Sequence, residues 1–173
     1  MSMTPKSSEQ PLRWRSEVRP SDPEAVRRVV ASTNFFTAAE IEIAVELVVE
    51  RLAKGLASGY RFVFAESTGA AGPVVGYSCF GEIPCTVGSY DLYWIAVDAS
   101  AQRGGLGRRI LEQSEREMRA LAGRRVYIET SGRELYRPTQ QFYLRCGYRL
   151  EAELADFYAA GDPKQIYVKA LAG

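Results

Sequence analysis

The sequence has 173 residues, 46% of them apolar, with 22 basic side chains against 21 acidic ones and no histidine. This balance argues against broad electrostatic binding of nucleic acid or of an anionic membrane surface. Without histidine, Ser-His and Cys-His nucleophilic catalysis and most catalytic zinc sites are excluded, so we expect no metal. No apolar run approaches the ~18 residues of a membrane-spanning helix.

Length and composition suit one globular domain, which we expect over residues 13–173. Residues 1–12 are polar, lack the apolar core of a signal peptide and are expected to form a flexible lead-in. Three cysteines without CxxC spacing suit a reducing compartment. The sequence therefore predicts a cytoplasmic protein.

The first third of the chain predicts one strand and two helices. A weak alternation indicates a strand over Trp14–Arg19, and Asp22 is expected to cap a helix that begins at Pro23. Thr37, with Glu40 three residues later, forms a capping box for a second helix. On that helix, three glutamates four residues apart are typical of a solvated face, with an acidic rim for a cationic amine as the alternative.

The remainder predicts strands separated by two more helices. Apolar and β-branched runs indicate strands over residues 60–66, 74–83, 90–97, 125–130, 148–158 and 165–171. Helical patterns follow Leu106 and Pro138. The connection before residue 125 is tight, which favours a parallel β-α-β unit. The predicted fold is a single-domain mixed α/β sheet in the order β-α-α-β-β-β-α-β-α-β-β.

A glycine-rich segment, Gln102–Gly107, separates the strand ending at Val97 from the following helix. Its glycines allow backbone N–H groups to approach an anion, and the helix N-terminus favours negative charge. A nucleotide P-loop is excluded because no Gly-Lys pair precedes Ser or Thr. A dinucleotide fingerprint is disfavoured because Ile110 replaces its third glycine. A plain turn that starts a helix remains the alternative.

The segment Gln102–Gly107 also fits the pattern Q/R-x-x-G-x-G/A at every defined position. A second motif, Phe142–Tyr148, reads FYLRCGY and fits FYxxxG followed by F or Y. With these motifs and the order of its elements, the chain resembles the GCN5-related N-acetyltransferase (GNAT) superfamily from about Trp14 to Leu171. The resemblance implies a mostly antiparallel sheet with a central parallel pair and acetyl-coenzyme A (acetyl-CoA) as co-substrate.

The resemblance also assigns coenzyme-binding residues. The glycine-rich segment would hold the pyrophosphate, and the strand before it would run beside the pantetheine arm and offer a free N–H near Val97 as an oxyanion donor. Ser131 would make a polar contact to the coenzyme or to the acceptor. The residues implied to bind coenzyme are Ile95, Ala96, Val97, Gln102, Arg103, Gly104, Gly105, Leu106, Gly107, Arg108, Ser131 and Tyr143.

Two residues are candidates for proton transfer. Asp91 is polar in an otherwise apolar strand, at the position where many relatives carry a glutamate base. Its alternative role is an edge carboxylate that faces solvent or binds an arginine. Glu82 and Glu129 are the alternative candidates for the base, and Glu129 could instead pair with Arg125 or Arg133. Tyr143 matches the family's general acid, with a core aromatic as the alternative.

The sequence thus predicts an acetyl-CoA-dependent N-acetyltransferase that acts on a primary amine by direct attack in a ternary complex. The acceptor stays open between a small molecule and a peptide, and a homodimer is possible. A non-enzymatic acyl-CoA sensor and a transferase of longer acyl groups remain alternatives.

Overall fold

We analysed a computed structural model of the chain, which describes residues 11–68 and 72–171. The predicted lead-in over residues 1–12 falls almost entirely outside these ranges, because only residues 11 and 12 are described. Of those two, Leu12 already belongs to the first strand.

Four α-helices and seven β-strands form the described chain. The helices are α1 (Asp22–Ser32), α2 (Ala38–Lys54), α3 (Leu106–Ala120) and α4 (Arg137–Arg145). The strands are β1 (Leu12–Arg15), β2 (Arg61–Ser67), β3 (Val74–Glu82), β4 (Ser89–Val97), β5 (Arg125–Ser131), β6 (Arg149–Ala159) and β7 (Asp162–Ala170). The predicted element order is confirmed.

The strands form one sheet in the order β1-β2-β3-β4-β5-β7-β6. Strand β4 pairs with β5 in parallel, whereas β1–β2, β5–β7 and β6–β7 are antiparallel. The mixed α/β class with a central parallel pair is therefore confirmed. The chain divides into two compact units, residues 11–79 with 94–114 and residues 80–93 with 115–171.

Two predictions at the start of the chain are wrong. The first strand runs over Leu12–Arg15, not Trp14–Arg19. Asp22 is the first residue of α1 rather than its cap, and the preceding Ser21 makes no side-chain cap bond. The Asp22 carboxylate instead accepts from the Arg19 N–H at 2.6 Å and binds the Arg15 guanidinium at 2.8 Å. The Asp22 carboxylate therefore binds Arg15 of β1 and the Arg19 N–H instead of capping the first N–H groups of α1.

The predicted capping box of α2 is confirmed. The Thr37 hydroxyl accepts from the Glu40 N–H, and the Glu40 carboxylate accepts from the Thr37 N–H at 2.8 Å. The solvated-face reading of the α2 glutamates is supported, because Glu50 binds Lys54 at 2.8 Å and Glu42 pairs with Arg27.

The first unit packs α1 and α2 on aromatic residues of the sheet. Its fully buried side chains include Phe62, Phe64 and Tyr77, and Phe36 lies 5.0 Å from Trp94 between ring centroids. A second cluster, around Ile110 of α3, includes Ala65 of β2. Burial of each large side chain stabilises the fold by roughly 1.5–3 kcal/mol.

A buried ion network joins β1, β2 and α1 in this unit. The Glu66 side chain is 4% exposed and accepts from Arg15 at 2.8 Å and from Arg13. Arg15 is 7% exposed, also binds Asp22 and lies over the Phe64 ring at 4.4 Å. Burial alone would raise the pKa of Glu66, but the hydrogen bonds from Arg15 and Arg13 outweigh it and lower that pKa.

In the second unit, Glu115 carries a buried charge. Its side chain is 3% exposed, and its carboxylate accepts from Lys169 at 2.8 Å and from the Tyr148 hydroxyl at 3.0 Å. The Lys169 ammonium also donates to the Cys146 carbonyl at 2.9 Å, which fixes the end of α4. The buried charge of Glu115 is therefore compensated by the Lys169 ammonium and by a hydrogen bond from Tyr148.

We predict that Glu66→Gln lowers the free energy of unfolding by about 2–4 kcal/mol, because it leaves Arg15 without one charged partner inside the protein. Urea unfolding at pH 7 measures the change. Because the folded-state pKa of Glu66 is lowered, its contribution is present at neutral pH and is lost as the pH falls through that pKa. Glu24→Gln is the matched control, since the Glu24 side chain is 82% exposed. An equal loss for both variants would contradict a special role of Glu66.

Candidate functional site

The turn after β4 is fixed by Asp98. Its carboxylate accepts from the Ser100 N–H at 3.0 Å and the Ser100 hydroxyl at 2.6 Å, and it binds Arg28 of α1 at 2.9 Å. Burial would raise the pKa of Asp98, but these hydrogen bonds and the Arg28 charge lower it. The Asp98 N–H donates to the Val75 carbonyl at 2.9 Å. Sequence analysis missed this residue, although an aspartate two residues before a serine is a turn signal.

Residues 102–107 form the glycine-rich turn predicted from the sequence. Arg103 and Gly105 both have left-handed backbone conformations, with φ of 68° and 73°. A Cβ added at Gly104 or Gly105 would meet nothing within 4 Å, so the space over the turn is open on this unit. The Gln102 side-chain amide donates to the Val97 carbonyl at 3.2 Å and thereby ties the turn to the end of β4.

Helix α3 begins within this segment, at Leu106, directly after Gly105. The first N–H groups of a helix have no acceptor within it, and they point along the axis with the positive end of the helix dipole. The Arg109 N–H donates a hydrogen bond to the Gly105 carbonyl at 3.2 Å. Left-handed residues next to a helix start make an anion-binding concavity, and this arrangement fits a diphosphate.

Arginine side chains surround the turn on its own unit. Arg103 is exposed, and Arg108 is exposed and pairs with Glu112 at 2.9 Å. The Arg109 guanidinium lies 5.8 Å from the centre of the Trp14 ring. Because an exposed i,i+4 ion pair contributes only a few tenths of a kcal/mol, Arg108 can exchange Glu112 for an anionic ligand at little cost.

The end of β4 is held by close packing. A Cβ added at Gly76 of β3 would lie 2.6 Å from Ile110 Cδ1 and 3.1 Å from the Ala96 carbonyl oxygen. A larger residue at position 76 would therefore require the end of the Ile110 side chain to move and would crowd the Ala96 carbonyl. Ala96 is buried, whereas Ile95 and Val97 are partly buried beside Leu106 and Ile110. The predicted oxyanion role of an N–H near Val97 stays a prediction.

Asp91 lies where β4 and β5 pair, opposite Tyr127 in the parallel register. It is half-buried, and burial together with the nearby charge of Glu129 raises its pKa to about 6, against a smaller lowering by Lys164. Glu129 is ion-paired with Lys164 at 2.5 Å, so the suggested partners Arg125 and Arg133 are wrong. A carboxylate of this kind is ionised at neutral pH and is a stronger base than an ordinary aspartate. Its use as the base remains untested.

Tyr143 is buried in α4, with 5% of the residue exposed. Its ring packs against Tyr148 and Tyr167, with centroids 5.9 Å and 6.2 Å away. Burial raises the pKa of the Tyr143 hydroxyl, so the phenol stays protonated at neutral pH and can donate a hydrogen bond. Both readings from the sequence, core aromatic and proton donor, are compatible with this placement.

The remaining candidates are placed as follows. The Ser131 hydroxyl is buried, donates to Asp162 at 2.5 Å and accepts from the Arg133 N–H at 3.1 Å. Glu82 is exposed at the end of β3. Within residues 11–68 and 72–171, no cluster of three or more histidine, cysteine or acidic residues is arranged to bind a metal ion. No helix in the described ranges is both long enough and apolar enough to cross a membrane.

Comparison with known proteins identifies the family. The model of the acetyltransferase (GNAT) domain matches residues 58–150, more than half of the chain. The chain therefore belongs to the GNAT family and is an N-acetyltransferase by class. No curated protein matches its sequence.

Solved structures agree with this assignment. A Desulfovibrio desulfuricans protein assigned to the GNAT family of acetyltransferases is 48% identical, covers 94% of this chain and 100% of its own, and has a TM-score of 0.89. An aminoglycoside 6'-N-acetyltransferase complexed with coenzyme A is 16% identical, with coverages of 92% and 97% and a TM-score of 0.68. A spermidine N-acetyltransferase variant from Vibrio cholerae is 14% identical, with coverages of 92% and 94% and a TM-score of 0.70. The last two show the shared fold alone.

Proposed function

We propose that this enzyme transfers the acetyl group of acetyl-CoA to a primary amine by direct attack in a ternary complex. The observation that carries the proposal is the turn at residues 102–107, where two left-handed residues precede the start of α3. The coenzyme A in the aminoglycoside acetyltransferase and the amine acceptors named for that protein and the spermidine enzyme add support.

In this proposal the turn binds the coenzyme pyrophosphate. Backbone N–H groups of Gly105, Leu106 and Gly107 donate to it, and Arg103 and Arg108 add charge-assisted contacts. Gln102 keeps the turn attached to β4 through its bond to the Val97 carbonyl. The backbone of residues 95–97 then runs beside the pantetheine arm, as the family resemblance implies, and one of its N–H groups polarises the thioester carbonyl.

The acceptor must lose a proton before it attacks. A lysine-like amine with a pKa near 10.4 requires roughly 4–5 kcal/mol to be deprotonated at pH 7. We assign this step to Asp91, whose raised pKa of about 6 strengthens it as a base. Aspartate is one carbon shorter than the glutamate of many relatives, so a water molecule relays the proton.

The departing thiolate of coenzyme A must gain a proton. We assign this step to Tyr143, whose phenol is kept protonated by burial. The amine nitrogen forms the new bond to the carbonyl carbon and then loses its second proton to solvent, the carbon–sulfur bond breaks, and the thiolate leaves as the thiol with the tyrosine proton. Solvent then returns a proton to Tyr143.

Thiol release from acetyl-CoA tests the function directly. The acceptor panel contains spermidine, kanamycin, lysine and a peptide with a free N-terminus, and butyryl-CoA in place of acetyl-CoA tests longer acyl groups. We expect acceptor-dependent thiol release with acetyl-CoA from at least one of these amines. Tight acetyl-CoA binding without turnover on any of them would favour a sensor, and faster reaction with butyryl-CoA would favour a longer acyl donor.

We predict that Gly105→Val weakens acetyl-CoA binding at least ~100-fold. A β-branched side chain strains the left-handed backbone at this position and places its methyl groups where the pyrophosphate would lie. Isothermal titration calorimetry measures the affinity. Gly59→Val is the matched control, because Gly59 also has a left-handed backbone with φ of 79°, a Cβ there meets nothing within 4 Å, and it lies between α2 and β2, outside the turn. Unchanged affinity in Gly105→Val would overturn the assignment of the turn.

We predict that Tyr143→Phe lowers kcat by ~10²–10⁴-fold, the usual contribution of a general acid, with little change in coenzyme affinity. The ring contacts with Tyr148 and Tyr167 survive the substitution. Tyr148→Phe is the control, because its hydroxyl donates to Glu115 rather than to a substrate. If Tyr143→Phe retained full turnover, the acid would have to be another group.

Location and assembly complete the proposal. We place the enzyme in the cytoplasm, where its three free cysteines would remain reduced. Strand β6 stands at the end of the strand order and is exposed along most of its length, including Leu150, Leu154 and Phe157. An exposed edge of this kind favours pairing with a second copy as a homodimer, which sedimentation velocity would test.

A further inference from the structure

Three charged side chains lie on one face of neighbouring strands in the second unit. Asp91 of β4 is opposite Tyr127 of β5, and Glu129 follows two residues later on the same face of β5. Ile166 of β7 is opposite Glu129, and Lys164 lies two residues from it on that face. Asp91, Glu129 and Lys164 therefore form a row across β4, β5 and β7.

The row is closely spaced. A diagonal pair of residues on adjacent strands is separated by roughly 7–8 Å, which places the Asp91 and Glu129 carboxylates within a Debye length of each other. Lys164 lies 2.5 Å from Glu129 and is only 13% exposed in its side chain. Its ammonium also lies 4.1 Å from the centre of the Phe157 ring, so it is held from two sides.

We propose that Glu129 and Lys164 are opposing electrostatic partners of Asp91, so that each of the two charges shifts the pH at which Asp91 becomes ionised. This inference rests on the proposed role of Asp91 as the base. Glu129 and Lys164 are positioning residues in this account, because they act through Asp91 and not on the reacting atoms.

The two partners act in opposite directions. The negative charge of Glu129 opposes ionisation of Asp91, and the ammonium of Lys164 favours it, while burial supplies the largest part of the raised pKa. A base with a pKa just below neutral pH is mostly ionised and retains more proton affinity than an aspartate at 3.9. Burial keeps Asp91 in that range, and each charge of the pair shifts the midpoint to one side or the other.

Other charged groups near the row are already accounted for. Asp162 of β7 pairs with Arg133 at 3.0 Å. The pKa of the Tyr158 hydroxyl on β6 is raised by burial and by the charges of Glu129 and Asp162, so this phenol is neutral at the relevant pH. Glu82, at the end of β3, is exposed and screened by solvent. Glu129 and Lys164 are therefore the charges to vary.

The first experiment follows the aspartate carboxyl carbons of the full chain by ¹³C NMR as a function of pH, with Asp91→Asn identifying the Asp91 signal. We expect a midpoint of about 6 for Asp91. Glu129→Gln should lower it by roughly 0.5–1 unit because it removes a negative neighbour. Lys164→Met should raise it by a similar amount, and Lys164→Arg, which keeps the charge, should restore it.

The second experiment measures kcat against pH with acetyl-CoA and the best amine of the panel. We expect the acid limb of each profile to move with the NMR midpoint of the same variant. Glu151→Gln is the control, because Glu151 pairs with Arg149 at 2.8 Å and is not among the charges that act on Asp91. It should leave both readings unchanged.

The two readings separate the inference from the function it rests on. NMR midpoints that stay fixed in both Glu129→Gln and Lys164→Met would overturn the electrostatic coupling, whatever the kinetics show. Midpoints that move while the acid limb stays fixed would confirm the coupling and remove Asp91 from the role of base. The double variant Glu129→Gln with Lys164→Met should return close to the wild-type midpoint, and a large residual shift would also contradict the inference.

Discussion

The first unit depends on how β4 ends. The Asp98 N–H donates to the Val75 carbonyl at the end of β4. The Asp98 carboxylate accepts from the Ser100 N–H and binds Arg28. The Gln102 side chain donates to the Val97 carbonyl. The left-handed residues Arg103 and Gly105 lie between that bond and the bond from the Arg109 N–H to the Gly105 carbonyl, so the backbone is anchored before and after them. Conformations that cost on the order of 1 kcal/mol persist in folded proteins under this condition.

In the second unit, the chemistry is set by how charge is buried. Glu115 is enclosed with Lys169 and Tyr148 and stabilises the end of α4, the helix that carries Tyr143. Asp91, in contrast, is half-buried and forms no ion pair with the residues that the structure describes, and burial together with the charge of Glu129 raises its pKa. One unit thus contains a carboxylate whose charge is fully compensated and another whose charge is only partly compensated. The difference is consistent with a structural role for Glu115 and supports the proposed role of Asp91 as the base.

Local patterns predicted much of this molecule, and long-range contacts account for what they missed. The capping box of α2, the glycine-rich turn and the order of elements depend on residues close in sequence, and they were predicted correctly. Asp22 was assigned wrongly because Arg15 binds it through an ion network that also includes Glu66. The pairing of Glu129 with Lys164 comes from the β5–β7 register, which no spacing along the chain reveals.

The contact between Gly76 and Ile110 has an evolutionary consequence. A side chain larger than hydrogen at position 76 would push against α3 and against the backbone at Ala96, so selection on this position follows selection on the segment that leads into the turn. The amino acid allowed at position 76 of β3 is therefore restricted by the segment that leads into the turn, although Gly76 lies on a different strand.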